Sequence, residues 1–142
     1  ERFRQKGNEF GATTGRPRRC GWLDLPALKY ATRLNGARGL ILTKIDVLAG
    51  LGPVKVGMSY SGKDNETLSF GDALTAHQQG KPVVVEYMTL PSVDSMPHHV
   101  ETFSQLPGPF HELCSIIERE LSIPIVMVSY GPKRGQEFFA RN

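Results

Sequence analysis

Residues 8–24, NEFGATTGRPRRCGWLD, bring together a small-residue turn, two hydroxyls and three arginines. Gly11 and Gly15 let the backbone turn tightly and approach a ligand closely, and Thr13 and Thr14 add hydroxyls to the backbone N–H groups. Arg16, Arg18 and Arg19 supply planar forks of permanent charge that match carboxylate or phosphate. Anion binding is the chemistry these residues suit. A solvated basic turn leading into a helix uses the same residue types, so the stretch alone leaves both readings open.

The second candidate is TKID, residues 43–46. The carboxylate of Asp46 can accept from the ring N–H and the exocyclic amino group of a guanine together, while the stem of Lys44 lies over the base. A strand end with two solvated charges explains the same four residues. Ser129, Tyr130 and Gly131 follow another apolar run and could present backbone groups to the same base, since open α/β sheets place ligands at strand ends. A third stretch, GMSYSGK at residues 57–63, imitates a phosphate-binding loop but puts Asp64 where Ser or Thr should meet magnesium. The following DNETLSFGDA reads as a poor helix to receive phosphate. His77, His98, His99 and His111 have no Cys or carboxylate at ligand spacing, and Cys20 and Cys114 read as reduced thiols without a catalytic role.

These groups need elements to hold them. The charged opening ERFRQKGNEF reads as the end of a helix or an ordered connector, and a truncated amino terminus is expected. Asp24 is a plausible helix cap, Pro26 suits the first turn, and Leu25, Leu28, Tyr30, Ala31 and Leu34 give a helical apolar pattern that Asn35 and Gly36 stop. Residues 40–42 read as a short buried strand with TKID at its carboxyl end. Residues 54–60 and 81–90 read as strands, with residues 61–67 a hairpin or exposed loop. Residues 91–109, with four prolines, read as an irregular loop. A helix is predicted from Phe110 through Leu113, Ile116, Ile117 and Leu121, and IVMVSY is predicted as a last buried strand after Pro124.

The net charge of +3 is local. Residues 1–20 hold six basic and two acidic side chains, net +4, and the remainder hold eleven and twelve, net −1. A patch of this kind favours a small anionic ligand over a polynucleotide. The 142 residues fit one domain of ordinary size, and no apolar run approaches the ~20 residues that span a bilayer. A cytoplasmic protein with no nucleic-acid or membrane partner is expected, and a plastid form with its transit peptide removed is compatible with the same sequence.

Taken together, GNEFGATTGRPRRCGWLDL at residues 7–25, LTKIDVL at 42–48 and IPIVMVSYGPKR at 123–134 resemble the carboxyl-terminal third of the adenylosuccinate synthetases. Between residues 61 and 107 the resemblance is thin, and Pro17 stands where some members carry arginine. The family's fold implies an α/β protein, this chain being a portion of a mixed, largely parallel sheet with flanking helices, the later part of a larger single-domain fold. Its reaction implies a ligase of purine biosynthesis that uses GTP to phosphorylate the 6-oxygen of IMP and lets aspartate displace the phosphate.

By the same resemblance, Ala12, Thr13, Thr14, Gly15, Arg16, Pro17 and Arg18 form a loop that closes on aspartate, with Arg16 also reaching IMP and Arg18 the GTP side. Lys44, Ile45 and Asp46 read the guanine, and Ser129, Tyr130 and Gly131 complete its pocket. The phosphate loop, the catalytic base and the magnesium ligands belong to an amino-terminal part, so the chain alone is expected to be inactive. The complete enzyme is expected to be a homodimer. A free-standing guanine-nucleotide or purine-binding module is the alternative. An RNA-binding protein rests only on the basic patch, which lacks interleaved aromatics.

Overall fold

In chain order the structure, a computed structural model that describes residues 1–139, forms α1 (Arg2–Lys6), β1 (Leu23–Asp24), α2 (Leu25–Leu34), β2 (Leu40–Leu42), β3 (Val54–Ser61) and β4 (Thr67–Leu68). It continues with α3 (Phe70–Gln78), β5 (Val84–Leu90), α4 (Gly108–Leu121), β6 (Ile125–Ser129) and β7 (Glu137–Phe139). Short 3-10 turns lie at Ile45–Leu48 and Phe103–Gln105. The chain divides into two compact units, one made of Glu1–Gly21, Arg38–Val54 and Leu90–Asn142, the other of Trp22–Ala37 and Lys55–Thr89.

The first unit carries the sheet β2-β6-β7. β2 runs parallel to β6, pairing Leu40 with Ile125 and Leu42 with Val128 around an irregularity after Leu40. β7 runs antiparallel to β6, pairing Met127 with Phe139 and Ser129 with Glu137. Residues 40–42 were expected to be a buried strand. They form the sheet's edge instead, with Ile41 59% exposed. α4 begins at Gly108, two positions before the apolar pattern that predicts it, with Pro109 in a first turn that needs no proline N–H. Phe110, Leu113, Ile116, Ile117 and Leu121 make its buried stripe. Cys114 is buried with them, and burial, reinforced by Glu118, pushes its thiol up to about 12, which leaves it inert. The helix ends at Ser122, left-handed at φ 55°, and the Glu118 carboxylate accepts the Ile125 N–H at 2.7 Å, tying helix end to strand start.

The second unit is organised on β3, which pairs parallel with β1, antiparallel with β4, and also with β5. Both units therefore contain parallel and antiparallel pairs flanked by helices, a mixed α/β arrangement. The β3–β4 hairpin lies where residues 61–67 were expected to turn. Residues 57–61 of the phosphate-loop imitation are strand, and at the turn a Cβ on Gly62 would meet the Glu66 carboxylate at 2.0 Å. That carboxylate accepts the Asp64 N–H at 2.9 Å, so an acidic side chain fills the turn. Residues 64–69 of the stretch read as a poor helix are turn, strand and cap, and α3 begins only at Phe70, where Ser69 caps by accepting the Asp72 N–H at 3.2 Å and donates to its carboxylate at 2.6 Å.

Asp24 serves this unit twice: it caps α2 by accepting the Ala27 N–H at 3.0 Å, and it accepts the Tyr60 hydroxyl at 2.5 Å from each carboxylate oxygen. Tyr60→Phe should therefore destabilise the chain by about 2 kcal/mol, the scale of a hydrogen bond to a charged group. Burial, then Asp24, raises the Tyr60 pKa above its ordinary value. The stabilisation is thus complete below about pH 10 and is lost as pH rises beyond it. Urea unfolding should show an alkaline loss of stability in the parent that is reduced in the Phe variant.

Candidate functional site

The arginine loop folds as a tight hairpin within the first unit. Phe10 and Pro17 bridge antiparallel, the Gly11 N–H donates to Arg16 O at 2.8 Å, and the Arg18 N–H donates to Glu9 O at 3.0 Å. Gly15 takes φ 63°, a conformation that glycine adopts without a side-chain penalty, and its N–H closes the turn on Gly11 O at 2.8 Å. Ala12, Thr13, Thr14, Gly15, Arg16, Pro17 and Arg18 are all exposed. Among the described residues, the N–H groups of Ala12, Thr13 and Thr14 have no hydrogen-bond partner, and the guanidinium of Arg16 has none either. The tip thus offers consecutive donors and a free planar cation, a donor set suited to an anion.

TKID and residues 129–131 leave the carboxyl ends of β2 and β6. Because these strands are parallel neighbours, the two segments emerge at the same end of the sheet, and the turn Ile45–Leu48 touches β6. Ile45, 1% exposed, anchors the turn, which leaves Lys44 exposed and Asp46 half-buried on either side. The Asp46 carboxylate has no hydrogen-bond or ion-pair partner among the described residues. Tyr130 is committed to the fold: its hydroxyl accepts the Val100 N–H and donates to Gly135 O, both at 3.2 Å, and its own N–H donates to Gln136 O at 2.8 Å. The Ser129 hydroxyl reaches Gly131 O at 3.4 Å. Gly131 lies under the Gln136 amide, which a Cβ would meet at 2.3 Å.

Sequence reasoning missed the residue that connects the two candidates. Glu9 accepts Lys44 Nζ at 2.5 Å on one carboxylate oxygen and Arg18 at 2.9 Å on the other. Lys44, then Arg18, hold its carboxyl below the usual carboxylate range. Lys44 Nζ also donates to Gly7 O at 2.9 Å, so its ammonium is fixed to the base of the arginine loop. The available signal was position: Glu9 is the one acid between Lys6 and Arg16. Among the described residues no group of three or more His, Cys, Asp or Glu could hold a metal ion. A cavity of about 500 Å3, lined in part by His99, Phe103, Phe138 and Phe139, includes no residue of the arginine loop, of TKID or of residues 129–131.

A family model described as adenylosuccinate synthetase matches residues 1–138. Among curated relatives, the chloroplastic adenylosuccinate synthetase of Triticum aestivum is 47% identical over 93% of this chain and 27% of its own length. The adenylosuccinate synthetase of Trichlorobacter lovleyi is 42% identical over the whole chain and 32% of its own length. The fully ligated adenylosuccinate synthetase of Plasmodium falciparum superposes with a TM-score of 0.86 at 31% identity, covering 99% of this chain and 33% of that one. The chain thus spans about a third or less of these relatives. With nearly its full length inside the family model and its fold shared with a solved member, the chain belongs to the adenylosuccinate synthetase family.

Proposed function

We propose that residues 1–142 are the carboxyl-terminal part of a GTP-dependent ligase that joins IMP and aspartate to give adenylosuccinate, supplying its aspartate loop and guanine pocket. The observation that carries this reading is the parallel β2–β6 register, which brings TKID and residues 129–131 to one sheet end, with Glu9 tying the arginine loop beside them.

In this reading the N–H groups of Ala12, Thr13 and Thr14 and the guanidinium of Arg16 clamp the aspartate carboxylates, a task for donors fixed before the ligand arrives. Arg16 also reaches IMP, and Arg18 the GTP. Asp46 accepts from the two donors of the guanine edge, while Lys44, Ile45 and the backbone of Ser129, Tyr130 and Gly131 frame the base. The GTP γ-phosphoryl group passes to the 6-oxygen of IMP, and the aspartate amine then displaces phosphate, forming the carbon–nitrogen bond and leaving GDP and phosphate. This chain's residues bind and orient. Among the described residues there is no cluster fitted to magnesium, which is assigned, with the base and the phosphate clamps, to the remainder of the enzyme.

The 142-residue chain alone should form no adenylosuccinate from IMP, GTP and aspartate, and joining it to the amino-terminal part of a relative should restore turnover. Turnover by the purified chain would overturn the division of labour. In the complete enzyme, Arg16→Leu should raise the aspartate KM more than tenfold, since loss of a charge-assisted clamp costs roughly 2 to 4 kcal/mol. An aspartate KM and kcat that barely move would make the loop a solvated turn. Asp46→Asn tests the guanine reading, because an amide donor would then face a guanine donor. GTP should weaken about tenfold. Xanthine carries an oxygen at that position and can accept from the amide, so the ratio of kcat/KM for XTP over GTP should rise. An unchanged ratio would mean that Asp46 does not read the base.

A further inference from the structure

We propose that Glu9 is a positioning residue that holds Arg18 and Lys44 in the arrangement the nucleotide needs, coupling the arginine loop to the guanine-reading turn. The inference rests on the guanine-pocket reading above and extends it to a residue outside the aspartate loop and the base-reading segments.

One carboxylate spans the two cations, with Lys44 at 2.5 Å and Arg18 at 2.9 Å. Each cation has a second tether of its own or at its backbone: Lys44 Nζ donates to Gly7 O at 2.9 Å, and Arg18 O accepts from Arg4 Nε at 2.8 Å. The four contacts make a network, which holds geometry where an isolated exposed pair contributes little. Lys44 is also left-handed at φ 60° and ψ 34°, a conformation that costs an ordinary side chain about 1 kcal/mol or more. Such strain persists where the surroundings over-determine it, and here the anchors on the Lys44 ammonium supply the constraint. Neither cation is exhausted. Lysine has three donors and arginine five, so Lys44 keeps one and Arg18 several for a ligand. Without Glu9, two like charges would face each other at the loop base, and the turn would lose the anchor that sets the approach of Lys44 to the base.

The test uses a complete synthetase carrying this chain's sequence, with Glu9→Gln and Glu9→Asp, and with Glu120→Gln as the control, since among the described residues Glu120 pairs only with its neighbour Arg119 at 3.1 Å. Glu9→Gln should raise the GTP KM about fivefold, with kcat at saturating GTP changed less than twofold and the IMP KM unmoved. The difference should shrink as salt screens the exposed pairs, and Glu9→Asp, which keeps the charge on a shorter stem, should recover part of the loss. In a Lys44→Met background the same change should cost less, because the two residues act through one contact. An unchanged GTP KM in Glu9→Gln, while Asp46→Asn still shifts the XTP to GTP preference, would overturn the role of Glu9 and leave the guanine pocket standing. Equal rises in the KM of all three substrates with a lowered Tm would likewise reduce Glu9 to a structural contact. If Asp46→Asn shifts nothing, the pocket reading fails and this inference falls with it.

Discussion

The parallel ladder between β2 and β6 is the constraint on which the candidate site depends. Parallel strands cannot be joined by a short turn, so the chain between Leu42 and Ile125 must travel elsewhere and return. What the ladder gains is coincidence of direction: both carboxyl ends open on one side, where TKID and residues 129–131 leave the sheet. The register is secured by burial of Ile125 and Val128, 1% and 0% exposed, and by the Leu40 N–H, which donates to Pro124 O at 2.9 Å just before the strand proper. A one-residue slip would turn these apolar side chains outward and carry Ser129 out of line with Asp46.

Around that sheet end the backbone is held by cations as much as by apolar contacts. Lys6 donates to Ala49 O, Arg2 to Gly50 O at 3.1 Å, and the Gly50 N–H to Val93 O at 2.7 Å, so α1 is fastened to the segment after the 3-10 turn. Glu9 then fastens the arginine loop to Lys44 at the other end of the same turn. The local excess of positive charge in residues 1–20 is therefore divided. Arg2, Arg4 and Lys6 spend their donors on carbonyl oxygens and on Glu1, while Arg16 and Arg19 have no side-chain partner among the described residues. A composition count cannot separate the two groups, because structural and ligand-facing arginines carry the same charge.

Much of the fold was legible because local rules and packing agreed. Asp24 and Pro26 mark the start of α2, the spacing of Phe110, Leu113, Ile117 and Leu121 marks α4, and the β-branched run before Leu90 marks β5. α3 was missed because its apolar face is short, with Ala73 its one buried residue, although Ser69 followed by Asp72 is a start signal that requires no core. β1 and β4 are two residues each, and β7 is three, too short for any periodicity to register. The exposure of Ile41 was illegible for a different reason: an apolar triplet after glycine looks the same in a central strand and at an edge, and only the partner list distinguishes them. Of the candidate site, the three motifs were readable one by one, but the β2–β6 pairing that brings two of them to one sheet end was not, because lying at a strand end does not say which strands are neighbours. Glu9 was not readable, because an ion pair across 35 positions leaves no mark on local sequence.

The two carboxylates beside Lys44 show why position alone does not assign a role. Glu9 has both oxygens occupied by cations, and these contacts favour its charged form. A ligand that needed those lone pairs would have to displace Lys44 and Arg18, so Glu9 is suited to holding protein groups. Asp46 sits two residues from Lys44 on a turn anchored by buried Ile45, and its carboxylate oxygens meet no protein donor among the described residues. A half-buried carboxylate with its acceptors open is the group that gains most when a ligand brings two donors side by side, since it exchanges water for paired, charge-assisted bonds. The same exchange is unavailable to a base that presents an acceptor there, which would face a negative charge with no proton between them. Under the proposed reading, selectivity for guanine follows from an Asp46 carboxylate left open to the ligand, while Glu9 holds Lys44 and Arg18 at the base of the arginine loop.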